Sequence, residues 1–167
     1  MRARLLVAAG LLVATALVGG CSSDGPSRAA DKPQLPEVTL QPVGAGKAVD
    51  LGSLKGPAVV NLWASYCSPC KRELPIYADF ARDFRGKVAV LGVDFQEPRV
   101  DRALAMMRTA KVDYPVVADP DGDLRAIALP KLVLVDAAGK VTYSDYVEIK
   151  DPAQLRDLVE KHLGVAG

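Results

Sequence analysis

Cys67 and Cys70 are separated by two residues in the segment Tyr66-Cys67-Ser68-Pro69-Cys70-Lys71. Two thiols at that spacing can share a metal ion, close an idle disulfide, or exchange electrons with another dithiol. The spacing alone leaves all three open. Zinc takes about four ligands, mostly Cys and His, and the single histidine, His162, falls far downstream in the last predicted helix, so metal binding is the weakest reading. Redox chemistry makes a sharper demand, because one thiol must ionise readily in reach of a partner while the other waits behind it. A thiol at the N-terminus of a helix meets the first condition, since unpaired backbone N–H groups and the helix dipole favour the thiolate. An ordinary thiol with pKa near ~8.5 is only a few per cent ionised at neutral pH, and each unit of depression is worth ~1.4 kcal/mol to the anion. Cys67 would then attack, and Cys70, one turn inward, would resolve the mixed disulfide.

The surrounding pattern supplies elements that could hold such a pair. Ala58-Val59-Val60-Asn61-Leu62-Trp63 is nearly continuous in apolar character, as expected of a central strand covered on both faces, and the cysteines follow directly. Lys71 to Phe84 has helical composition with Leu74, Tyr77, Ala78, Ala81 and Phe84 on one stripe, and Pro75 predicts a kink. Val88 to Phe95 is the next strand. Pro98 opens a crossover helix with Val100, Leu104, Met107 and Ala110 inward. Its methionines fit core packing better than a copper face, which would need accompanying sulfur or histidine. Asp119-Pro120-Asp121-Gly122 is a turn, Lys131 to Asp136 a strand, Ala137-Ala138-Gly139-Lys140 a hairpin turn and Val141 to Val147 the returning strand. Asp151 caps a last helix with Pro152 first and Gln154 third, burying Leu155, Leu158, Val159 and Leu163. Leu35 to Leu40 and Lys47 to Leu51 form an N-terminal extended pair. The order predicts an α/β domain, a mixed sheet sandwiched between helices.

The chain begins with Arg2 and Arg4, an uncharged apolar stretch from Leu5 to Val18, and Gly19-Gly20 ahead of Cys21. That is the layout of an export signal, and the apolar run falls short of the roughly 20 residues a membrane span requires. Ser22 to Pro36 is poor in large apolar groups and reads as a tether. The expected division is 1–20 signal, 21–34 tether and 35–167 folded domain, a single domain being ample for 167 residues. The three cysteines resolve as one plus two, which argues against a structural disulfide framework. A net charge of +1 gives no electrostatic case for a nucleic-acid partner.

Two resemblances extend this reading. Val18-Gly19-Gly20-Cys21 resembles the bacterial lipobox, which implies a lipidated Cys21 anchoring the domain at the extracytoplasmic face of the cell membrane. Asn61-Leu62-Trp63-Ala64-Ser65-Tyr66-Cys67-Ser68-Pro69-Cys70-Lys71-Arg72-Glu73-Leu74-Pro75 resembles the active-site segment of the TlpA/ResA/DsbE group of thioredoxin-like proteins. The likeness runs from Leu35 to about Leu163. It implies a thioredoxin-like fold with an N-terminal β extension and a strand–helix insertion over Val88 to Ala118. The implied activity is thiol:disulfide exchange with no cofactor beyond the dithiol.

By the same resemblance Glu73 matches an acidic residue beside the thiols, able to oppose their ionisation or pass a proton to the departing sulfur; read without the family it is a solvated helix charge. Pro130 matches a cis-proline whose preceding residue, Leu129, pairs with substrate backbone, and Trp63, Tyr66, Ser68 and Pro69 complete the expected substrate contacts. The implied partners are exported proteins with thiols or disulfides, apocytochrome c among them, and a membrane electron donor of the DsbD/CcdA type. Tyr66 in place of tryptophan, Lys131 in place of threonine, Asn61 in place of thioredoxin's buried aspartate and a shortened loop before Leu129 depart from the pattern. The competing functions are a disulfide-forming oxidase, a peroxidase, and a non-catalytic binding lipoprotein or copper chaperone. A peroxidase would carry threonine where this chain has Ala64.

Overall fold

A computed structural model of the chain describes residues 32–166. The expected export signal, Cys21 and nearly all of the expected tether lie outside the described residues. The elements are β1 (Thr39–Pro42), β2 (Val49–Asp50), β3 (Ala58–Trp63), α1 (Ser68–Asp83), β4 (Ala89–Phe95), α2 (Val100–Thr109), β5 (Val116–Asp119), β6 (Lys131–Val135), β7 (Val141–Asp145) and α3 (Pro152–Leu163). Among these no helix is long and apolar enough to cross a membrane.

The strands form one mixed sheet in the order β2-β1-β5-β4-β3-β6-β7. All six residues of β3 are buried, because it pairs in parallel with β4 on one side and antiparallel with β6 on the other. β4 pairs in parallel with β5, whose other edge is taken by β1. At the entry to β3 the backbone passes so close to β6 that a Cβ on Gly56 would lie 1.9 Å from the Val135 carbonyl oxygen. No larger residue fits there without moving the strand.

Strand alternation divides the interior into two layers. Val59, Trp63, Val90, Val116, Leu132 and Leu134 face one way and pack against buried residues from all three helices. Ala58, Val60, Leu62, Val93, Val117 and Val133 face the other way, toward Leu35, Leu40, Leu51 and Leu124 from non-helical chain and β1. The flanking helices therefore occupy one face of the sheet, where a sandwich was expected. The steps β3-α1-β4 and β4-α2-β5 run in the same direction across the sheet, so right-handed crossovers put both helices on the same side. Between β5 and β6, where a helix could cover the opposite face, residues 120–130 form a short irregular loop.

Other differences are local. α1 begins at Ser68, three residues before the expected start, and continues through Pro75. α2 begins at Val100 with Arg99 as its cap. Val100, placed on the inward stripe by periodicity, is 54% exposed, and Ala103 is the fully covered residue of that helix. The folded unit also starts before Leu35: the Pro33 carbonyl accepts from Val141 N at 2.7 Å and Gln34 bridges to Lys140.

Candidate dithiol site

β3 ends at Trp63 in the middle of the sheet, and after four residues, the last of them Cys67, the chain enters α1. Cys67 occupies the N-cap in extended conformation, φ −84° and ψ 108°. Its Sγ accepts from the Cys70 backbone N–H at 3.2 Å, and its own N–H donates to the Ala64 carbonyl at 3.1 Å. Pro69 sits in the first turn, where a missing N–H costs no intrahelical bond. Cys67 and Cys70 are joined by a disulfide with a Cα–Cα distance of 5.3 Å. Cys67 keeps 7% of its surface and Cys70 none, so a partner can reach only the first sulfur.

Around Cys67 lies a groove of about 330 Å³ lined by Tyr66, Pro69, Phe95, Gln96 and residues 126–129. The Leu129–Pro130 bond is cis, and Pro130 itself is buried. Tyr66 is 57% exposed and Ser68 is open to solvent. Ile127 stands out at 90% exposure, with its N–H donating to the Tyr146 hydroxyl at 3.1 Å. The Lys131 ammonium lies 5.5 Å from the Tyr146 ring centre. Asp119 anchors the start of the same loop by accepting from Asp123 N and Leu124 N at 2.8 and 3.0 Å.

Trp63 is not a substrate contact. It is fully buried under the dithiol loop, because an inward residue of a central strand faces the helix layer. The structure thus brings Tyr66, Cys67, Pro69 and Leu129 to one groove, with Pro130 beneath it. Ile127 and Tyr146 join that surface without a distinguishing sequence signal.

Glu73 lies on the buried side of α1, one turn beyond Cys70, with no exposed surface. The reading as a solvated charge is therefore overturned. Its Oε2 accepts from Ile149 N at 2.9 Å, and its Oε1 has no partner among the described residues. Burial pushes its pKa up to about 8; the nearby Glu148 carboxylate adds to the rise, while the Ile149 N–H and Arg72 oppose it. Arg72 and Glu148 pair with each other at 2.8 Å near the surface. The hydroxyls of Tyr77 and Tyr114, buried in the same layer, also lack partners. Burial and the Glu73 charge hold both phenols well above the usual tyrosine range.

A second carboxylate pair sits beneath the other flank of the dithiol loop. Glu97 accepts from Ser65 N at 2.6 Å and from Arg99 N at 2.8 Å, tying that loop to the start of α2. Asp94, paired in register with Trp63, is 2% exposed, and burial plus the Glu97 charge raise its pKa to about 7. For an acid whose folded pKa is raised, stability is full below the unfolded value of 3.8 and declines as pH rises toward 7. Asp94→Asn is expected to stabilise the domain at pH 8 by on the order of 2 kcal/mol and to leave it unchanged near pH 3. Urea unfolding at the two pH values measures the difference; equal gains at both would remove ionisation as the cause.

Comparison with known proteins agrees with this arrangement. Residues 32–144 match the AhpC/TSA family. The chain is 32% identical over 158 residues to the thiol:disulfide interchange protein DsbE of Pseudomonas fluorescens biotype C, covering 88% of this chain and 84% of the relative. It is 32% identical over 102 residues to the thiol-disulfide oxidoreductase ResA of Bacillus subtilis (strain 168), covering 58% of this chain and only 56% of ResA. A secreted Mycobacterium tuberculosis disulfide oxidoreductase homologous to E. coli DsbE superposes with a TM-score of 0.66 at 20% identity, over 75% of this chain and 96% of the other, a likeness of fold. The chain belongs to the AhpC/TSA family and has the thioredoxin-like fold, with relatives among the ResA- and DsbE-type thiol:disulfide oxidoreductases.

Proposed function

We propose that this chain is a thiol:disulfide oxidoreductase held at the extracytoplasmic face of the membrane by lipidated Cys21, reducing disulfides in exported proteins, apocytochrome c among them. The observation that carries the reading is the asymmetry of the pair, a helix-capping Cys67 at the floor of a groove and a sealed Cys70 one turn behind it. In the reduced protein the helix N-terminus and the Cys70 N–H favour a thiolate at Cys67. That thiolate attacks a substrate disulfide, one substrate sulfur leaves as a thiolate, and a mixed disulfide forms. Cys70 gives up its proton and attacks the Cys67 sulfur, the second substrate thiolate departs, and the Cys67–Cys70 disulfide is restored.

Two electrons pass from the dithiol to the substrate in each cycle. A membrane dithiol donor of the DsbD/CcdA type returns them, and the residues need no further cofactor. Glu73, with a pKa of about 8, is mostly protonated at neutral pH; its minor carboxylate form accepts the Cys70 proton in this direction, and the acid returns it when the disulfide is reduced.

Substrate backbone lies along Leu129 in the Cys67 groove, with apolar side chains against Tyr66 and Ile127. Ile127→Asp is expected to slow exchange with an apolar-flanked peptide disulfide by roughly tenfold while leaving the reaction with dithiothreitol unchanged. Stopped-flow rates for the reduced protein with the peptide disulfide and for the oxidised protein with dithiothreitol separate the two; parallel loss would mean the loop holds the dithiol and not the substrate.

Equilibration against glutathione redox buffers tests the direction. A potential near thioredoxin's, about −270 mV, supports a reductase. A value near about −120 mV would make the protein an oxidase.

A further inference from the structure

On the far side of the dithiol loop from the Cys67 groove, α1 and α2 leave between them a groove of about 440 Å³. Its apolar wall is Pro75, Ala105, Met106 and Ala110, and its charged lining is Lys71 and Arg102, with no carboxylate. Both cations are exposed. Two nearby arginines are neutralised, Arg72 by Glu148 and Arg99 by Asp101. Among the described residues Lys71 and Arg102 form no ion pair. Lys71 and Arg102 are therefore the charges of the groove lining itself; Ser65 of the dithiol loop belongs to the same lining, its N–H turned to the Glu97 carboxylate at the edge.

We propose that this groove docks an acidic, apolar segment of the protein that exchanges disulfides at Cys67. The inference rests on the exchange reading above and adds the chemistry of the partner. Met106 is half-buried and unbranched, so it can repack around different apolar side chains. Lys71 and Arg102 would meet carboxylates at the rim, where charge governs the encounter rate and the salt dependence more than the final affinity. A basic segment would bring like charges together and be rejected. Because the groove adjoins the dithiol loop, a segment seated there holds the partner's own cysteine within reach of Cys67.

The test uses the reduced full chain in detergent micelles and short peptides with one cysteine blocked as a mixed disulfide with nitrothiobenzoate. Flanking residues are apolar with glutamates, apolar with lysines, or apolar with neutral polar residues. Each turnover transfers two electrons, releasing peptide thiol and nitrothiobenzoate thiolate and leaving the Cys67–Cys70 disulfide, and is followed by absorbance. At low ionic strength the glutamate peptide is expected to react roughly tenfold faster than the lysine peptide, with the ratio falling toward one as salt is added. Arg102→Glu should bring the ratio near one, and Lys71→Glu with Arg102→Glu should invert it. Reading a ratio cancels any effect of Lys71 on the neighbouring thiols. A wild-type ratio of one with all peptides consumed, or a ratio untouched by the substitutions, overturns the docking proposal and leaves the exchange reading standing. No release from any peptide, the neutral one included, overturns both.

Discussion

Replacing Cys67 with serine is expected to lower disulfide exchange by at least about 10³-fold, the scale of loss when a catalyst is deprived of its nucleophile. A hydroxyl at the α1 N-cap can still accept the backbone bond that Cys67 Sγ accepts, so the fold should survive while the chemistry stops. Cys70→Ala should behave differently. The first attack remains, nothing releases the substrate, and a covalent complex through Cys67 accumulates. Stopped-flow kinetics with an oxidised peptide, followed by non-reducing electrophoresis, distinguishes the variants. Loss of both activity and complex in Cys70→Ala would mean that Cys70, and not Cys67, makes the attack.

The second large effect is expected at Glu73. Its pKa is about 8 in the fold against 4.5 for a free side chain, so the folded protein holds a proton that the unfolded chain releases. The sign follows: stability is full below pH 4.5, declines as pH rises, and reaches its lower plateau above pH 8. Gln is nearly the same shape, still accepts the Ile149 N–H and cannot ionise. Glu73→Gln should therefore be more stable than wild type at pH 9, by up to about 5 kcal/mol, with no gain at pH 4. Asp94 titrates nearer pH 7, so the interval from 7 to 8 belongs mainly to Glu73. The resolving step should also lose its pH dependence near 8, because the group that takes the Cys70 proton is gone. Urea unfolding of the oxidised protein and single-turnover rates from pH 5 to 9 measure both. A wild-type stability that is flat from pH 5 to 9 would contradict the buried neutral carboxyl.

Much of this architecture is legible in the residues. The nearly continuous apolar run Ala58–Trp63, interrupted only by Asn61, reads as a covered strand, and it is one. Asp151, Pro152 and Gln154 mark the start of α3, where the Asp151 carboxylate accepts from Gln154 N. The Ala137–Lys140 turn between β6 and β7 was readable from its glycine, which takes φ +83°.

Other features were hidden for physical reasons. β5 is four residues between Pro115 and Pro120, too short to show alternation, and it is made a strand by pairing on both edges. Periodicity placed Val100 inward, but the cap at Arg99 turns the first helical residue toward water. Trp63 looked like a platform beside the cysteines because the family segment contains it; strand alternation alone would have sent it into the core.

Glu73 was the hardest residue to place. An acid between Arg72 and Leu74 suggests a solvent-facing charge, yet its spacing from Cys70 and Tyr77, three and four residues along one helix, was a usable sign that it shares their buried face. Asp94 and Glu97 gave no comparable sign, since their roles depend on the loop that Glu97 ties down. Ile127 is exposed on the short irregular loop between β5 and β6, where no periodicity marks which side chains face outward.

The central claim is that Cys67 is the reacting sulfur and Cys70 its sheltered partner. It is tested most directly by treating the reduced full chain with limiting iodoacetamide at pH 7 and locating the label by peptide mass spectrometry. The account predicts carbamidomethyl at Cys67, with Cys70 unmodified until the protein is unfolded. Labelling of Cys70 first, or of both at equal rates in the native protein, would contradict it.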